Sequence, residues 1–183
     1  MTRFSFCIPT YNRYTELERL VKSILVIDDH DIEVIVLDND SSDGTCNLLK
    51  SIQDNRVKIF KNTSNMGALY NMVNVFSNAS GDYLIYTTDQ DYFNASQFAE
   101  FVNFILENPA VGFGHNNIYN SKPSGYNSIY RAGFSAGLEF SYIGIHPTGY
   151  FFKKSIHSFR NTLNIKLSSI IIVKNISSHN SVS

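Results

Sequence analysis

Several features that mark other classes of protein are scarce in this sequence of 183 residues. It has only two cysteines, Cys7 and Cys46, which is too few for a disulfide framework or a cysteine-rich metal site and favours a reducing compartment. Fifteen Lys and Arg residues are balanced by 16 Asp and Glu residues, so the formal net charge is −1. Because nucleic-acid binding needs clustered positive charge, we expect no nucleic-acid partner.

Long apolar runs are also missing. The apolar residues 4–8 are too short for a signal peptide before Asn12 and Arg13 interrupt them, and residues 170–173 cannot span a bilayer. The sequence therefore predicts a cytoplasmic protein, and peripheral association with the inner face of the plasma membrane stays compatible with it. A chain of this length can bury its own core without a metal or disulfide.

What is present is a regular alternation of strand and helix patterns. β-branched and apolar runs predict strands at residues 4–8, 32–37, 57–60 and 82–87. An apolar pattern of helical spacing follows each strand, and Asn108 with Pro109 is expected to end the fourth helix. Four such alternations with short loops indicate an α/β fold with a doubly wound, mostly parallel sheet.

Local signals suggest where these elements begin and end. Pro9 is expected to close the first strand, because proline cannot donate to the ladder. Thr15, with Glu18 three residues later, predicts a capping box at the start of the first helix. Gly81 is expected to end the third helix. That helix is predicted to present one apolar face made of Leu69, Met72, Val73 and Phe76.

The pattern weakens beyond Val111. Residues 116–130 are rich in Asn, Ser, Gly and Tyr and predict a loop, whereas residues 149–152 predict one more strand. From residue 157 onward the periodicity is poor. We therefore divide the chain into a domain at residues 1–156 and an irregular tail at 157–183.

Two acids, Asp89 and Asp91, follow the fourth predicted strand directly. In open α/β sheets the carboxyl ends of parallel strands face the crevice where ligands bind. Carboxylate oxygens suit Mg²⁺ or Mn²⁺, which commonly bridge one or two carboxylates to a substrate diphosphate. The alternative is that the two acids only form a polar turn before the next helix.

Polar residues after the other strands favour the first alternative. Thr10 and Tyr11, Asp38 and Asn39, and the acids at 89 and 91 are all expected on one rim of the sheet. Tyr11 can stack on a base, and Asp38 or Asn39 can bond a base edge or a ribose hydroxyl. The sequence contains neither GxGxxG nor GxxxxGK[ST], so a cation is expected to neutralise the phosphates.

Four motifs in order resemble the GT-A-fold family 2 glycosyltransferases. They are residues 8–13 (IPTYNR), residues 37–45 (LDNDSSDGT), residues 65–67 (NMG) with Asn71, and residues 89–91 (DQD). The resemblance implies transfer of a sugar from a nucleoside-diphosphate donor to a glycan or lipid-linked acceptor, with inversion and with Mg²⁺ or Mn²⁺. Surface polysaccharide biosynthesis is the implied setting.

The resemblance also implies roles for individual residues. Asp91, with Asp89, is expected to hold the metal, and Asp91 is the expected direct ligand. Asn39 stands where many members carry a second Asp that reads the base. The residues expected to bind the donor nucleotide are Pro9, Thr10, Tyr11, Asp38, Asn39, Asn65, Gly67 and Asp89.

The catalytic base is the missing part of this pattern. Family members usually place an acid downstream of a segment like residues 146–154, but neither Asp nor Glu follows Lys154. Glu139 and His146 are the remaining candidates, and each also fits an ordinary surface or loop role. Two rival hypotheses follow: a shortened nucleotide-sugar-binding module without transfer activity, and a nucleotidyltransferase, which the lack of a glycine-rich loop after the first strand disfavours.

Overall fold

The computed structural model describes residues 3–28, 31–115, 128–130, 149–156 and 171–174. The strands are β1 (Phe4–Thr10), β2 (Ile32–Asp38), β3 (Val57–Lys61), β4 (Tyr83–Tyr86), β5 (Val111–His115), β6 (Ser128–Tyr130), β7 (Tyr150–Lys153) and β8 (Ile171–Lys174). The helices are α1 (Tyr14–Leu25), α2 (Thr45–Ser51), α3 (Ala68–Asn74) and α4 (Ala95–Glu107). Short 3₁₀ turns cover Val75–Asn78 and Lys154–Ile156.

The strands form one eight-stranded sheet in the order β3-β2-β1-β4-β7-β5-β8-β6. Strands β1 to β4 pair in parallel. Strand β7 is antiparallel to both of its neighbours, β4 and β5, so β5 and β8 run in the same direction as β1 to β4. Strand β6 is antiparallel to β8. The predicted mostly parallel sheet is confirmed, with two reversed strands in its second half.

Helices cover both faces of the sheet. Neighbouring residues of a strand point to opposite faces, so Phe6 and Cys7 of β1 show what packs on each side. On one face Phe6 of β1 lies in a core cluster with residues of α1, α2 and α4. On the other face Cys7 lies in a second cluster with the 3₁₀ turn that follows α3. The doubly wound arrangement predicted from the alternation of strands and helices is therefore confirmed.

Strand β1 continues through Pro9 and does not end there. Pro9 pairs with Leu37, and the strand ends at Thr10. The Cys7 carbonyl accepts a hydrogen bond from Thr87 N at 3.0 Å, so Cys7, and with it Pro9 two residues on, faces β4. Because β4 ends at Tyr86, it has no residue that could accept a hydrogen bond from position 9. The missing N–H of Pro9 therefore removes no bond from the ladder.

The predicted capping box of α1 is wrong. The helix begins at Tyr14, and its first residue donates its N–H to Oδ2 of Asp43, in the β2–α2 loop, at 3.0 Å. Glu18 instead forms an ion pair with Lys22 at 2.7 Å. The carboxylate of Asp43 thus accepts a hydrogen bond from one of the free N–H groups at the start of α1, which Thr15 was expected to cap. The bond also links the β1–α1 loop to the β2–α2 loop.

The predicted apolar face of α3 is also wrong in part. Leu69 is 71% exposed and Val73 is 38% exposed, whereas Phe76 is buried and Met72 packs partly against the core. The buried residue of the α-helix itself is Asn71. The buried face of the segment runs instead through residues 71, 72, 75 and 76, which leaves Leu69 and Val73 on the solvent side.

A buried carboxylate joins the amino ends of four segments of the sheet. Glu33 of β2 has a side chain that is only 4% exposed. It accepts hydrogen bonds from Ser5 Oγ of β1 at 2.6 Å and Lys58 Nζ of β3 at 2.6 Å. It also accepts bonds from Ser80 Oγ at 2.8 Å and Gly81 N at 3.1 Å, just before β4.

Gly81 was expected to end a helix, but it is required for a different reason. The 3₁₀ turn ends three residues earlier, at Asn78, and Gly81 lies against β1. A Cβ at Gly81 would lie 2.6 Å from Ser5 Oγ and 2.8 Å from Arg3 O, closer than real Cβ contacts. Backbone of one strand therefore approaches backbone of the next at this point.

Replacing Gly81 with alanine should destabilise the fold. The methyl group would have to displace the backbone carbonyl of Arg3, and overpacking of this kind costs about 1–3 kcal/mol. Thermal melts of Gly81→Ala and wild type measure the loss. The exposed Ser77→Ala serves as the control and should stay within about 0.5 kcal/mol of wild type. An unchanged melting temperature for Gly81→Ala would contradict the close approach.

The late part of the chain adds strands that the sequence did not predict. The strand expected at residues 149–152 is present as β7. Strand β6 lies inside residues 116–130, which were expected to be a loop, and β8 lies inside the tail that was expected to be irregular. Glu139 and His146 fall outside the described residues. No helix in the described part of the chain is long and apolar enough to cross a membrane.

Candidate functional site

A cleft of about 280 Å³ opens at the carboxyl ends of β1, β2 and β4, beside the start of α3. Ten residues line it: Pro9, Thr10, Tyr11, Asn39, Ala68, Asn71, Tyr86, Thr88, Asp89 and Gln90. Five of them were predicted to bind a donor nucleotide: Pro9, Thr10, Tyr11, Asn39 and Asp89. Asp38, Asn65, Gly67 and Asp91 are not among the lining residues.

The three loops that were expected on one rim are joined by direct hydrogen bonds. Thr10 Oγ1 donates to Asp89 Oδ2 at 2.9 Å, which links the ends of β1 and β4. Asn39 N donates to the Thr10 carbonyl at 2.9 Å, which links the ends of β1 and β2. Thr10 therefore occupies the centre of the rim. The roles assigned to these residues stay predictions.

Negative charge collects on the β4 side of the cleft. Burial raises the pKa of the Asp89 carboxyl, and the hydrogen bond from Thr10 and the nearby charge of Arg13 offset this only in part. Burial, together with the charges of Asp89 and Asp91, raises the pKa of Tyr86 to about 12. A cation at this place would be stabilised by both carboxylates.

The two acids differ in their surroundings. Asp89 lines the cleft, whereas Asp91 lies just beyond it and accepts a hydrogen bond from the Thr88 hydroxyl. Asp91 N also donates to the Thr88 carbonyl at 3.2 Å, so residues 88–91 form a tight turn. Among the described residues no group of three or more His, Cys, Asp or Glu side chains could hold a metal ion. A metal bound here would need further ligands, such as water or substrate oxygens.

Asp38 is buried behind the rim, directly opposite Thr10 in the β1–β2 register. Only 1% of its surface is exposed. Its Oδ1 accepts bonds from the backbone N–H and the hydroxyl of Ser41. Its Oδ2 accepts no hydrogen bond from any part of the chain that the structure describes. A buried carboxylate oxygen without a donor is costly, and a ligand N–H or O–H would relieve that cost.

The side chain of Asn39 is engaged within the protein and is largely unavailable to a base. Its Oδ1 accepts bonds from Asn62 Nδ2 at 2.8 Å and Met66 N at 2.9 Å. Its Nδ2 donates to Asn65 Oδ1 at 2.9 Å. Asn65 Oδ1 also accepts a bond from Gly67 N at 2.9 Å. Asn65 and Gly67 thus shape the loop before α3 and do not line the cleft.

A second set of bonds joins the loop after β1 to the loop after β2. Asn12 N donates to Ser41 Oγ at 2.9 Å, and Asn12 Oδ1 accepts a bond from Ser42 N at 2.8 Å. Asn12 has a φ of 51° and Asp40 has a φ of 66°, so both loops turn sharply. Since Ser41 also bonds Asp38, the loop that carries Tyr11 is coupled to the buried acid.

Sequence reasoning missed Asn62 and gave Asn71 no role. Asn62 directly follows β3 and Asn71 lies within α3, and nothing in their spacing shows that they meet. Asn62 Nδ2 donates to Asn71 Oδ1 at 3.0 Å as well as to Asn39. Only the tertiary fold brings the three amides together.

The protein family is decided by comparison with known families. A model described as "Glycosyl transferase family 2" matches residues 5–174, which is nearly the whole chain. The chain belongs to glycosyl transferase family 2. The match covers every described strand from β2 to β8 and nearly all of β1.

Relatives of this family 2 chain include a GalNAc(5)-diNAcBac-PP-undecaprenol beta-1,3-glucosyltransferase from Campylobacter jejuni, 33% identical over 118 residues. That alignment covers 63% of this chain and 38% of the relative. Among solved structures, residues 1–349 of S. aureus TarS superpose with a TM-score of 0.74 at 16% identity, covering 97% of this chain and 58% of that TarS segment.

A second solved neighbour is the mannosyltransferase PcManGT from Pyrobaculum calidifontis, in complex with GDP-Man and Mn²⁺. It superposes with a TM-score of 0.66 at 17% identity and covers 92% of this chain and 50% of that protein. At such identities TarS and PcManGT show the fold alone. The chain spans 38% to 58% of the length of the three sequences it is matched with, counting TarS by its residues 1–349.

Proposed function

We propose that this protein transfers a sugar from a nucleoside-diphosphate donor to a hydroxyl of a glycan or lipid-linked acceptor. One observation carries the proposal: Thr10 of β1 and Asp89 after β4 meet at 2.9 Å in the wall of a cleft that family 2 sequence motifs surround. The setting that fits is surface polysaccharide biosynthesis, since the Campylobacter relative is named for an undecaprenol-linked substrate.

The nucleotide is proposed to lie along the β1 and β2 loops. Tyr11 is 44% exposed in the cleft, which leaves its ring available to stack on a base. Asp38 Oδ2 lies unpartnered behind the rim and is an acceptor only. A base with a ring N–H, as uracil, thymine and guanine have, would satisfy that oxygen, whereas cytosine offers only its exocyclic amino N–H. Asn39, with its amide engaged, is proposed to support the wall.

Asp89 and Asp91 fit Mg²⁺ or Mn²⁺, since both supply carboxylate oxygens. Burial disfavours the charged form of Asp89, and a bound cation would compensate for that cost. The metal, when bound, would supply stabilisation of the negative charge on the departing diphosphate. Thr10 would hold the carboxylate of Asp89 in place through its hydroxyl. The Mn²⁺ complex of PcManGT supports this choice of cation.

Transfer to an acceptor is proposed to invert the anomeric carbon by direct displacement. The acceptor hydroxyl must lose its proton, and a carboxylate or imidazole in reach of that oxygen would take it. Glu139 and His146 stay the candidates for that base, and both lie outside the described residues. The cleft residues account for donor binding without either of them.

The proposal predicts a ranking of nucleotides. With Mn²⁺ present, UDP, dTDP and GDP should bind more tightly than CDP by about 5- to 100-fold, because CDP offers no ring N–H to Asp38. Calorimetry with the four nucleotides measures this ranking. Asp38→Asn should reduce the differences among them, whereas the exposed Asp28→Asn should not.

Transfer is tested separately from binding, with sugar nucleotides of the tightest base and undecaprenyl-diphosphate-linked acceptors. Formation of a glycosylated lipid that depends on Asp89 and Asp91 would support the proposal. Failure of all four nucleotides to bind would refute the donor site. Binding without transfer or hydrolysis would favour the rival hypothesis of a nucleotide-sugar-binding module.

A further inference from the structure

Three asparagines form a continuous hydrogen-bonded path from α3 to the ends of β1 and β2. Asn71 of α3 is 3% exposed. Its Nδ2 donates to the Leu37 carbonyl of β2 at 3.0 Å and to the Thr10 carbonyl of β1 at 3.3 Å. Its Oδ1 accepts from Asn62, which also bonds Asn39. Each polar atom of the Asn71 amide therefore has a protein partner.

These bonds join every wall of the cleft except the β4 wall. Thr10 and Asn39 line the cleft at the strand ends, and Ala68 lines it at the start of α3. Asn71 connects α3 directly to the first two strands, and it does so beside the place where Asn39 N bonds the Thr10 carbonyl. A side chain at this position can fix how far apart these walls stand.

Ordinary core packing does not explain a polar residue at this place. The neighbouring residues Val75 and Phe76 hold the same segment to the sheet by apolar contacts in the second core cluster. An apolar side chain at position 71 would remove the bonds to the Leu37 and Thr10 carbonyls and one of the two bonds of the Asn62 amide, at about 0.5–1.5 kcal/mol each. The Asn71 amide thus bonds the ends of β1 and β2 and the β3–α3 loop, and it adds little to core packing.

We propose that Asn71, acting with Asn62, is a positioning residue that sets the geometry of the donor cleft. The inference rests on the proposed donor-binding function of that cleft. Asn71 aligns the Thr10 and Asn39 walls for the nucleotide through the backbone carbonyls and the Asn62 amide. Its effect should appear in donor affinity beyond what loss of stability explains.

The test compares Asn71→Ala with two controls on the same segment. Asn71→Ala should weaken UDP or GDP affinity, measured by calorimetry with Mn²⁺ well below the melting temperature, by about 5- to 100-fold. Asn74→Ala should change neither affinity nor stability, because the Asn74 side chain makes no hydrogen bond within the described residues. Val75→Ala should lower the melting temperature but leave the affinity within twofold, because Val75 is a buried core residue outside the amide path.

A double-mutant cycle tests the path itself. Asn62→Ala and Asn71→Ala share one hydrogen bond, so their effects on affinity should be clearly less than additive when combined. Wild-type affinity in Asn71→Ala, or an equal loss in Val75→Ala, would overturn the proposal. Additive losses would also overturn it.

A nucleotide-free measurement separates this proposal from the proposed function. Hydrogen exchange of the Asn39 and Met66 amides, which donate to Thr10 O and Asn39 Oδ1, should become faster in Asn71→Ala but not in Asn74→Ala. If the wild type binds no nucleotide, the donor function fails, and faster exchange would still support the coupling of the walls. Unchanged exchange would refute that coupling whatever binds.

Discussion

Replacing Asp91 with asparagine should lower the metal-dependent affinity for a nucleoside diphosphate by about 100-fold or more. Loss of a residue that only supports a metal ligand already costs about 10- to 100-fold, and Asp91 is proposed to be a direct ligand. Asparagine keeps the size of the side chain, and its amide oxygen can still accept a hydrogen bond from the Thr88 hydroxyl, so the fold should persist. Calorimetry with UDP or GDP in Mn²⁺ and in EDTA measures the effect.

The matched control for Asp91→Asn is Asp28→Asn. Asp28 is also exposed to solvent, but it precedes β2 and so lies at the opposite edge of the sheet from the cleft. Its replacement should leave affinity in Mn²⁺ unchanged. If wild type and Asp91→Asn bind with the same affinity in Mn²⁺ and in EDTA, Asp91 does not hold a metal. If EDTA lowers the affinity of Asp91→Asn as much as it lowers that of wild type, Asp91 again does not hold the metal.

Replacing Glu33 with alanine should destabilise the protein by about 3 kcal/mol. Ser5 Oγ would lose its acceptor in a buried place, where an unpartnered donor costs about 1–3 kcal/mol, and the bonds from Lys58 and Ser80 would be lost as well. For a chain of this size the melting temperature should fall by about 6–12 °C. The control Glu18→Ala removes an exposed ion pair with Lys22 and should change stability by less than about 0.5 kcal/mol.

The same carboxylate should make stability depend on pH. Burial alone would raise the pKa of Glu33, but hydrogen bonds from Lys58, Ser5 and Ser80 outweigh it and lower the pKa from 4.5 to about 2. The folded state thus favours the ionised form, and its contribution is complete above pH 4.5 and lost as the pH falls toward 2. Melts near neutral pH and at about pH 3 should show the gap between wild type and Glu33→Ala narrowing in acid. A constant gap would contradict the ionised carboxylate.

The layers of the fold were predictable because they depend on periodicity. The apolar run of β2 and the helical spacing of α1 each reflect burial, and burial is visible in sequence. The start of α1 was not predictable, since Asp43 caps it from a different loop. Local capping signals at Thr15 could not report a contact that only the assembled sheet creates.

The candidate site divides in the same way. Thr10 and Asp89 follow strands directly, so the parallel sheet alone places them on one rim, and the structure joins them at 2.9 Å. The amide of Asn39 was expected to face a base, but three neighbouring residues engage it. Side-chain partners depend on rotamers and on loops distant in sequence, which strand order does not specify.

The position of β7 determines the order in which this sheet can be completed. Strand β4 ends at Tyr86, and its neighbour on the far side is not β5, the next strand along the chain, but β7, which begins at Tyr150. A nascent chain can therefore pair β1 to β4 early, while β5 must wait for a strand that is still unmade. Until then the apolar β4 is an open edge on which another chain could assemble.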